Sequence, residues 1–191
     1  MTAELTRRGF AKAGLATTLG LAAGATEKRA GAPDSNSSEL GRDRTSEKTP
    51  MSGADVLVRQ LKVHGVPFVA TLCGNGLDPF YAACRQHGLR LVDVRNEQAA
   101  GYMADVVGRL TRRVGVCAAS SGVAHVNALT GLTNAYFDGS PVLLLTGASE
   151  SRTAGMGNFQ DLDHVALARP ICKLAQLVER PERIALAVHE A

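Results

Sequence analysis

The chain has 191 residues, 45% of them hydrophobic and 20% charged, with 21 Lys and Arg against 18 Asp and Glu. Eight of the cations and six of the anions fall within residues 1–50, so the remainder is close to neutral and gives no charge argument for nucleic acid as a partner. Cys73, Cys84, Cys117 and Cys172 are far apart and form no Cys-x-x-Cys pair, which argues against a metal held by thiols and leaves Cys84, Cys117 and Cys172 as expected buried thiols.

Thr6-Arg7-Arg8-Gly9-Phe10-Ala11-Lys12 precedes a weakly apolar run, Ala13 to Ala25, that ends in small residues suited to cleavage. The stretch resembles a twin-arginine export signal, departing from it in having Ala11 where a larger apolar residue is usual. The run is shorter than the ~20 residues that span a bilayer, so a leader over 1–25 is expected rather than a membrane span. The expected destination is the periplasm or beyond, or the cytoplasm if the leader is not processed. Residues 26–52 turn to Ser, Glu, Asp, Lys, Arg, Gly and Pro, with Leu40 the only large aliphatic residue before Met51. Such a stretch cannot bury enough apolar surface to offset its ordering entropy, and it reads as a flexible polar linker.

Residues 53–191 have the length of one domain. Ser52-Gly53-Ala54-Asp55 reads as a capping box with Asp in place of Glu; Val56, Leu57, Leu61 and His64 then repeat helically up to Gly65. Phe68 to Leu72 is a predicted strand. Gly74-Asn75-Gly76 turns the chain, and Asp78-Pro79 supplies an N-cap and a first-position proline for a helix to His87. Leu91 to Val94 reads as a buried strand leading into a helix marked by Ala99, Met103, Val106, Val107 and Leu110. Val114 to Ala119 is a strand, Ser120-Ser121-Gly122 a turn, Val123 to Phe137 a helix, and Pro141 to Thr146 the most apolar strand. Residues 148–160 form a long loop, followed by a short turn near 161–167, a strand over 171–174 and a helix after Pro181. Alternating elements with continuously apolar strands predict an α/β fold: a doubly wound, mainly parallel sheet with helices on both faces. The sequence stops within a helix, so the domain is expected to be truncated and to lack its last strand.

Asn96 stands as an N-cap where the strand starting at Leu91 meets its helix, and Glu97 follows at once. That puts a carboxylate at the carboxyl end of a strand, the edge where open α/β sheets bind ligands. On this stretch alone the plainer reading is favoured, that Glu97 does no more than complement the helix dipole, because acidic first turns are common. Gly74-x-Gly76 and Gly155-x-Gly157 lack the third glycine of a dinucleotide fingerprint, and Ser120-Ser121 lacks the Gly-x-Ser-x-Gly frame of a hydrolase nucleophile.

Val94-Arg95-Asn96-Glu97-Gln98-Ala99-Ala100-Gly101-Tyr102-Met103-Ala104-Asp105, Asn127-Ala128-Leu129-Thr130-Gly131-Leu132, Asp138-Gly139-Ser140-Pro141-Val142 and Phe159-Gln160-Asp161 together resemble the amino-terminal pyrimidine-binding domain of thiamin-diphosphate enzymes of the acetolactate synthase-like group. The resemblance covers roughly residues 52–191. It implies that Glu97 is the catalytic carboxylate, sharing a proton with a nitrogen of the aminopyrimidine ring, and that it needs a dry setting to hold that proton. It further implies cofactor contacts from Gly74 and Asn75, from Gly122 and Val123, from Asn127 and from Gln160 on a loop entering the site. Two positions depart from the family pattern: Ser121-Gly122-Val123-Ala124 replaces a Ser-Gly-Pro-Gly turn, and Asn96 replaces a histidine.

The same resemblance implies Mg2+ and a diphosphate-binding domain contributed by a second subunit, neither of which this sequence supplies, and a homodimer or homotetramer when complete. It leaves room for FAD, for which no residue speaks. Three readings follow: the amino-terminal part of a lyase, carboligase or decarboxylase acting on a 2-oxo acid such as pyruvate; a separate pyrimidine-binding subunit of a split decarboxylase; or an exported, non-catalytic binding module with the same fold. The chain alone is expected to be inactive.

Overall fold

The computed structural model describes the backbone of residues 16–22 and the whole of residues 51–191. The paired arginines of the expected leader and the polar stretch up to residue 50 lie outside the described residues. In chain order the elements are β1 (Ala16–Ala22), α1 (Gly53–Val63), β2 (Val69–Thr71), α2 (Asp78–Gln86), β3 (Leu91–Asp93), α3 (Glu97–Thr111), β4 (Gly115–Ala119), α4 (Val123–Asp138), β5 (Val142–Ala148), α5 (His164–Ala168), β6 (Leu174–Val178) and α6 (Ile184–Glu190). One six-stranded sheet runs β3-β2-β4-β5-β1-β6, with every pairing parallel. From β2 the chain moves to one edge through β3 and then, from β4, toward the other. The strand order therefore reverses between β2 and β4, and a crevice opens at their carboxyl ends.

Strand alternation sorts the core into two layers. Val116 and Ala118 of β4 join Leu57, Leu61, Phe80, Ile184 and Val188 under α1, α2 and α6. Cys117 and Ala119 point the other way, onto Ala100, Ala104, Ala128, Leu132 and Ala135 of α3 and α4. The first layer is filled by large side chains and the second mostly by alanine, so α3 and α4 lie close to the sheet and to each other. A Cβ on Gly131 would sit 2.4 Å from the backbone carbon of Gly101, and one on Gly115 only 1.9 Å from the carbonyl oxygen of Ala104.

That close approach corrects the predicted face of α3. Its buried residues are Ala100, Gly101, Ala104, Asp105 and Gly108, whereas Tyr102 is 42% exposed and Leu110 77%. Large side chains cannot enter so narrow a gap, so the small residues turn inward and the bulky ones outward. Asp105 is buried between the two helices, where its carboxylate accepts from Arg109 at 2.7 Å and from Asn134 at 2.8 Å. Arg109 reaches on to Asp138 as well, tying α3 to the end of α4.

Three other expectations shift. The strand at Leu91 is a half-exposed edge rather than a buried strand, because β3 has a partner on one side only. Helix α2 is capped by Leu77 with no side-chain hydrogen bond, and Asp78 and Pro79 are its first two residues. The strand expected at 171–174 starts instead at Leu174, because Pro170 sits in a 3-10 turn, Arg169–Ile171, before the chain extends. Ala16–Ala22 lies in the sheet between β5 and β6, with Ala16 opposite Val142 and Thr17 opposite Leu174, so this sheet extends beyond residues 53–191 and includes part of the expected leader. A slot flanked by parallel strands on both sides pairs with the backbone of an extended segment through its peptide groups.

The predicted capping box is present: the Asp55 amide donates to Ser52 Oγ, the Ser52 amide donates to Asp55 Oδ2, and Asp55 Oδ1 meets His87 Nε2 at 2.8 Å. The hydrogen bonds from Ser52 and His87 hold the Asp55 carboxyl down at about 2, against an ordinary value of 3.8. A depressed acid supports the fold above its ordinary value and loses that support as pH falls through the lowered one. Asp55→Ala should therefore cost about 1 kcal/mol at neutral pH and flatten the stability decline between pH 4 and 2, as measured by urea unfolding across that range.

Candidate functional site

Three turns meet at the carboxyl ends of β2, β4 and β5. The turn after β2 carries Gly74, where a Cβ would lie 2.6 Å from that of Ser120 in the turn after β4. At Gly147, in β5, a Cβ would lie 2.8 Å from the carbonyl oxygen of Asn75. Side chains are excluded here, at Gly74 by the Ser120 side chain and at Gly147 by the backbone of the turn after β2.

The turn after β4 also receives the long loop. Gly122 has φ 63° and ψ −120°, and a Cβ on it would stand 2.5 Å from Cβ of Gln160, so both its backbone and its neighbour require glycine. Gln160 itself has φ 62°, an uncommon conformation for a residue with a side chain. Ser121 Oγ donates to Gln160 Oε1 at 3.3 Å. The loop holds itself together around Asp161, whose carboxylate accepts from Ser149 Oγ and from the Gly155 amide.

Behind this turn two histidines meet. The Gly122 amide donates to His164 Nε2 at 2.8 Å. The His164 ring stands edge-on to that of His125, with centroids 4.6 Å apart, and His125 Nδ1 lies 3.1 Å from Thr146 Oγ1. His125 is fully buried, and its Nε2 has no partner among the described residues. Burial lowers its pKa to about 4, with the neighbouring His164 adding to the effect; burial likewise lowers that of His164, against the pull of Asp161 and Asp163.

On the other side of α4 lies the predicted carboxylate. Asn96 caps α3 by accepting the Gln98 amide at 2.8 Å, which makes Glu97 the first residue of the helix. Asn127 Nδ2 donates to Glu97 Oε2 at 3.0 Å, and Glu97 Oε1 has no hydrogen-bond partner among the described residues. Both side chains are half-buried, so the described residues do not by themselves provide the dry setting expected for Glu97.

The structure thus gathers the predicted residues into two groups on one helix. Gly74 and Asn75 adjoin the turn that brings Gly122 to Gln160, and Glu97 bonds Asn127. Val123 is 65% exposed and precedes Asn127 by four residues, so α4 presents both on one face and links the groups. His125, Thr146 and His164 were not singled out from sequence, because no spacing rule pairs a histidine in a helix with one beyond a long loop. Cys84 and Cys117 are buried thiols as expected, whereas Cys172 is half-buried and Cys73 exposed. A cavity of about 550 Å³ opens nearby, between the amino ends of α1 and α2 and the end of β6; it touches Asn75 and Gly76 but not Glu97.

A parallel doubly wound sheet, with a carboxylate–amide pair and a glycine turn at the reversal of its strand order, defines an α/β domain built to hold a ligand at that edge. Residues 51–167 match the family described as "Thiamine pyrophosphate enzyme, N-terminal TPP binding domain", and the chain belongs to that family. It is similar to 2-hydroxyacyl-CoA lyase 2 of Danio rerio, with 37% identity over 78% of this chain and 24% of that protein. The same-named protein of Bos taurus is 42% identical over 67% of this chain and 20% of its own length. A probable acetolactate synthase of Mycobacterium bovis is 33% identical over 77% of this chain and 27% of its own. The chain spans about a quarter of the length of these curated relatives.

Proposed function

We propose that this chain holds the aminopyrimidine end of thiamin diphosphate in an enzyme that makes or breaks a carbon–carbon bond next to a carbonyl, and that Glu97 is its catalytic carboxylate. The observation that carries this reading is the Asn127–Glu97 hydrogen bond, which orients one carboxylate oxygen and leaves Oε1 free to face a ring nitrogen. The residues present fit the cofactor: a carboxylate of defined orientation, a turn at Gly74 from which side chains are excluded, and the Gln160 side chain beside Gly122. When bound, thiamin diphosphate supplies a thiazolium carbon that adds to a carbonyl and stores the electron pair released there. Glu97 Oε1 would hold and return the proton at the ring nitrogen, Asn127 keeps the carboxylate in place through Oε2, and Val123 offers an apolar surface at the head of α4.

Among the described residues no three His, Cys, Asp or Glu side chains cluster to hold a metal, so the proposal assigns Mg2+ and the diphosphate to another domain, supplied by a second subunit. The outward face of α3 and α4, with Tyr102, Val106, Leu110 and Phe137 all exposed, supports association of this kind. For substrate the reading is a 2-oxo acid such as pyruvate. A second reading, favoured by the names of the relatives with the higher identities, is a 2-hydroxyacyl thioester of coenzyme A. Mixing the chain with a diphosphate-binding partner, Mg2+ and thiamin diphosphate should raise its melting temperature; no rise with the partner present would overturn the reading.

Export by the twin-arginine route is part of the same proposal. Residues 1–52 fused to a reporter should carry it across the inner membrane, and changing Arg7 and Arg8 together to Lys should abolish transport while keeping the charge. Equal export of the two fusions would remove this part. No helix among the described residues is long and apolar enough to cross a membrane.

A further inference from the structure

We propose that His164, backed by His125, is a positioning residue of the crevice: by accepting the Gly122 amide on its neutral ring it keeps the Gly122 turn and Gln160 locked together. The inference rests on the cofactor reading above for its functional meaning, but its geometry stands on its own.

The amide of Gly122 points its hydrogen at His164 Nε2, so that nitrogen carries a lone pair and the ring proton belongs on Nδ1. Gly122 is the N-cap of α4 and has no side chain with which to cap the helix. The imidazole of His164 instead accepts the Gly122 amide itself, one of those that a helix start leaves unpaired. His164 stands four residues beyond Gln160, whose Cβ and Cγ fill the space a side chain on Gly122 would need and whose Oε1 accepts from Ser121. One imidazole therefore anchors both sides of the contact, the turn through its amide and the loop through the chain. The Nε2 hydrogens of Gln160 have no partner among the described residues and are the donors that this lock would hold toward a bound ring.

Burial, to which His125 contributes by packing against the ring, keeps His164 neutral. His125 lies in the first turn of α4, fully buried, edge-on to His164 and bonded to Thr146 of β5. The charged groups near His164 are Asp161 and Asp163, just before it in the chain, which favour its protonation; from α4 it is faced by His125, which is in turn bonded to the uncharged Thr146. Burial outweighs the two carboxylates. A proton on His164 Nε2 would remove the lone pair the Gly122 amide needs, so the lock is whole above the ordinary histidine range and opens as pH falls below it.

The test is an NMR titration of the 191-residue chain without cofactor, following the His164 ring nitrogens, the Gly122 amide and the Gln160 side-chain amide from pH 7.5 to 4.5. The expected result is an unprotonated Nε2 at pH 7.5, with Gly122 and Gln160 signals moving together at the His164 midpoint while Leu57 in α1 stays still. His164→Gln, which keeps an acceptor, should preserve slow exchange of the Gly122 amide, and His164→Leu should speed it by about tenfold, the order of one lost hydrogen bond. In the assembled enzyme the same pair should split, with Leu weakening cofactor affinity by about tenfold and Gln by far less. Should the Leu variant not fold, the wild-type titration decides alone. Gly122 and Gln160 signals indifferent to the His164 midpoint, or unchanged Gly122 exchange in a folded Leu variant, would overturn the inference. An absence of cofactor binding by the wild-type assembly would instead overturn the proposed function and leave the titration result intact.

Discussion

In the enzyme assembled with its diphosphate-binding domain, Glu97→Gln is expected to lower turnover by about 10² to 10⁴-fold, the range of one positioned proton-transfer group. The substitution is nearly isosteric and can still bond Asn127, which donates to Oε2 in the native pair. What it removes is the capacity of Oε1 to take and return a proton. At the first position of α3 a carboxylate is also worth up to about 1 kcal/mol against the helix dipole, so a small loss of stability should accompany the loss of rate. Comparing turnover with the melting temperature of the same variant separates the two. Near-native turnover would show that Glu97 serves only the helix, whereas a large fall in turnover with a melting shift of a few degrees is the expected pattern.

The largest effect on stability is expected from alanine at Gly131 or Gly115. Both glycines lie where one backbone runs against another, with a Cβ clearance of 2.4 Å to Gly101 in one case and 1.9 Å to Ala104 in the other. A flexible side chain could turn away from such an overlap, but a peptide group cannot, so α3 must move off α4 or off β4. Overpacking of this kind costs roughly 1 to 3 kcal/mol and at times more, a large share of the ~5 to 15 kcal/mol that holds a domain together. Thermal unfolding should shift down by roughly 5 to 10 °C for either variant. Val106→Ala, on the exposed face of α3, should move it by far less in the same experiment. Equal shifts for Gly131→Ala and Val106→Ala would mean that the helices are not in backbone contact.

The layout of the fold was legible because its local signals are strong and agree with one another. Ser52 and Asp55, Asn96 and Gly65 mark helix ends by chemistry that depends on a few neighbouring residues, and continuous apolar runs mark doubly covered strands. The inner face of α3 was misread because hydrophobic periodicity follows side-chain size, whereas a glycine–glycine crossing selects for smallness. Nothing local distinguishes Ala100, Gly101 and Ala104 as a buried face until Gly131 is known to lie opposite. The same limit applies to the site. Glu97 was found through its place at a strand-to-helix junction and through a family resemblance, and its bond to Asn127 joins two positions the resemblance had already marked. His125 and His164 depart from any motif, and their meeting depends on how the long loop closes over α4, which no short window of sequence contains.

Strand β1 is separated from β5 by three strands and four helices, and from β6 by more, yet it lies between the two and pairs with both. On the ribosome it is made first and can be paired only last, after the backbone it needs on each side has been synthesised, which at ordinary rates is a delay of roughly 10 to 30 s. Through that interval the peptide groups of Ala16–Ala22 have no partners in the sheet. Once β6 docks, the same peptide groups are engaged on both edges, and removing them would break two ladders at once. Completion of the sheet therefore sets the moment at which these seven residues become engaged, and it comes only when the backbone on both of their edges has been made.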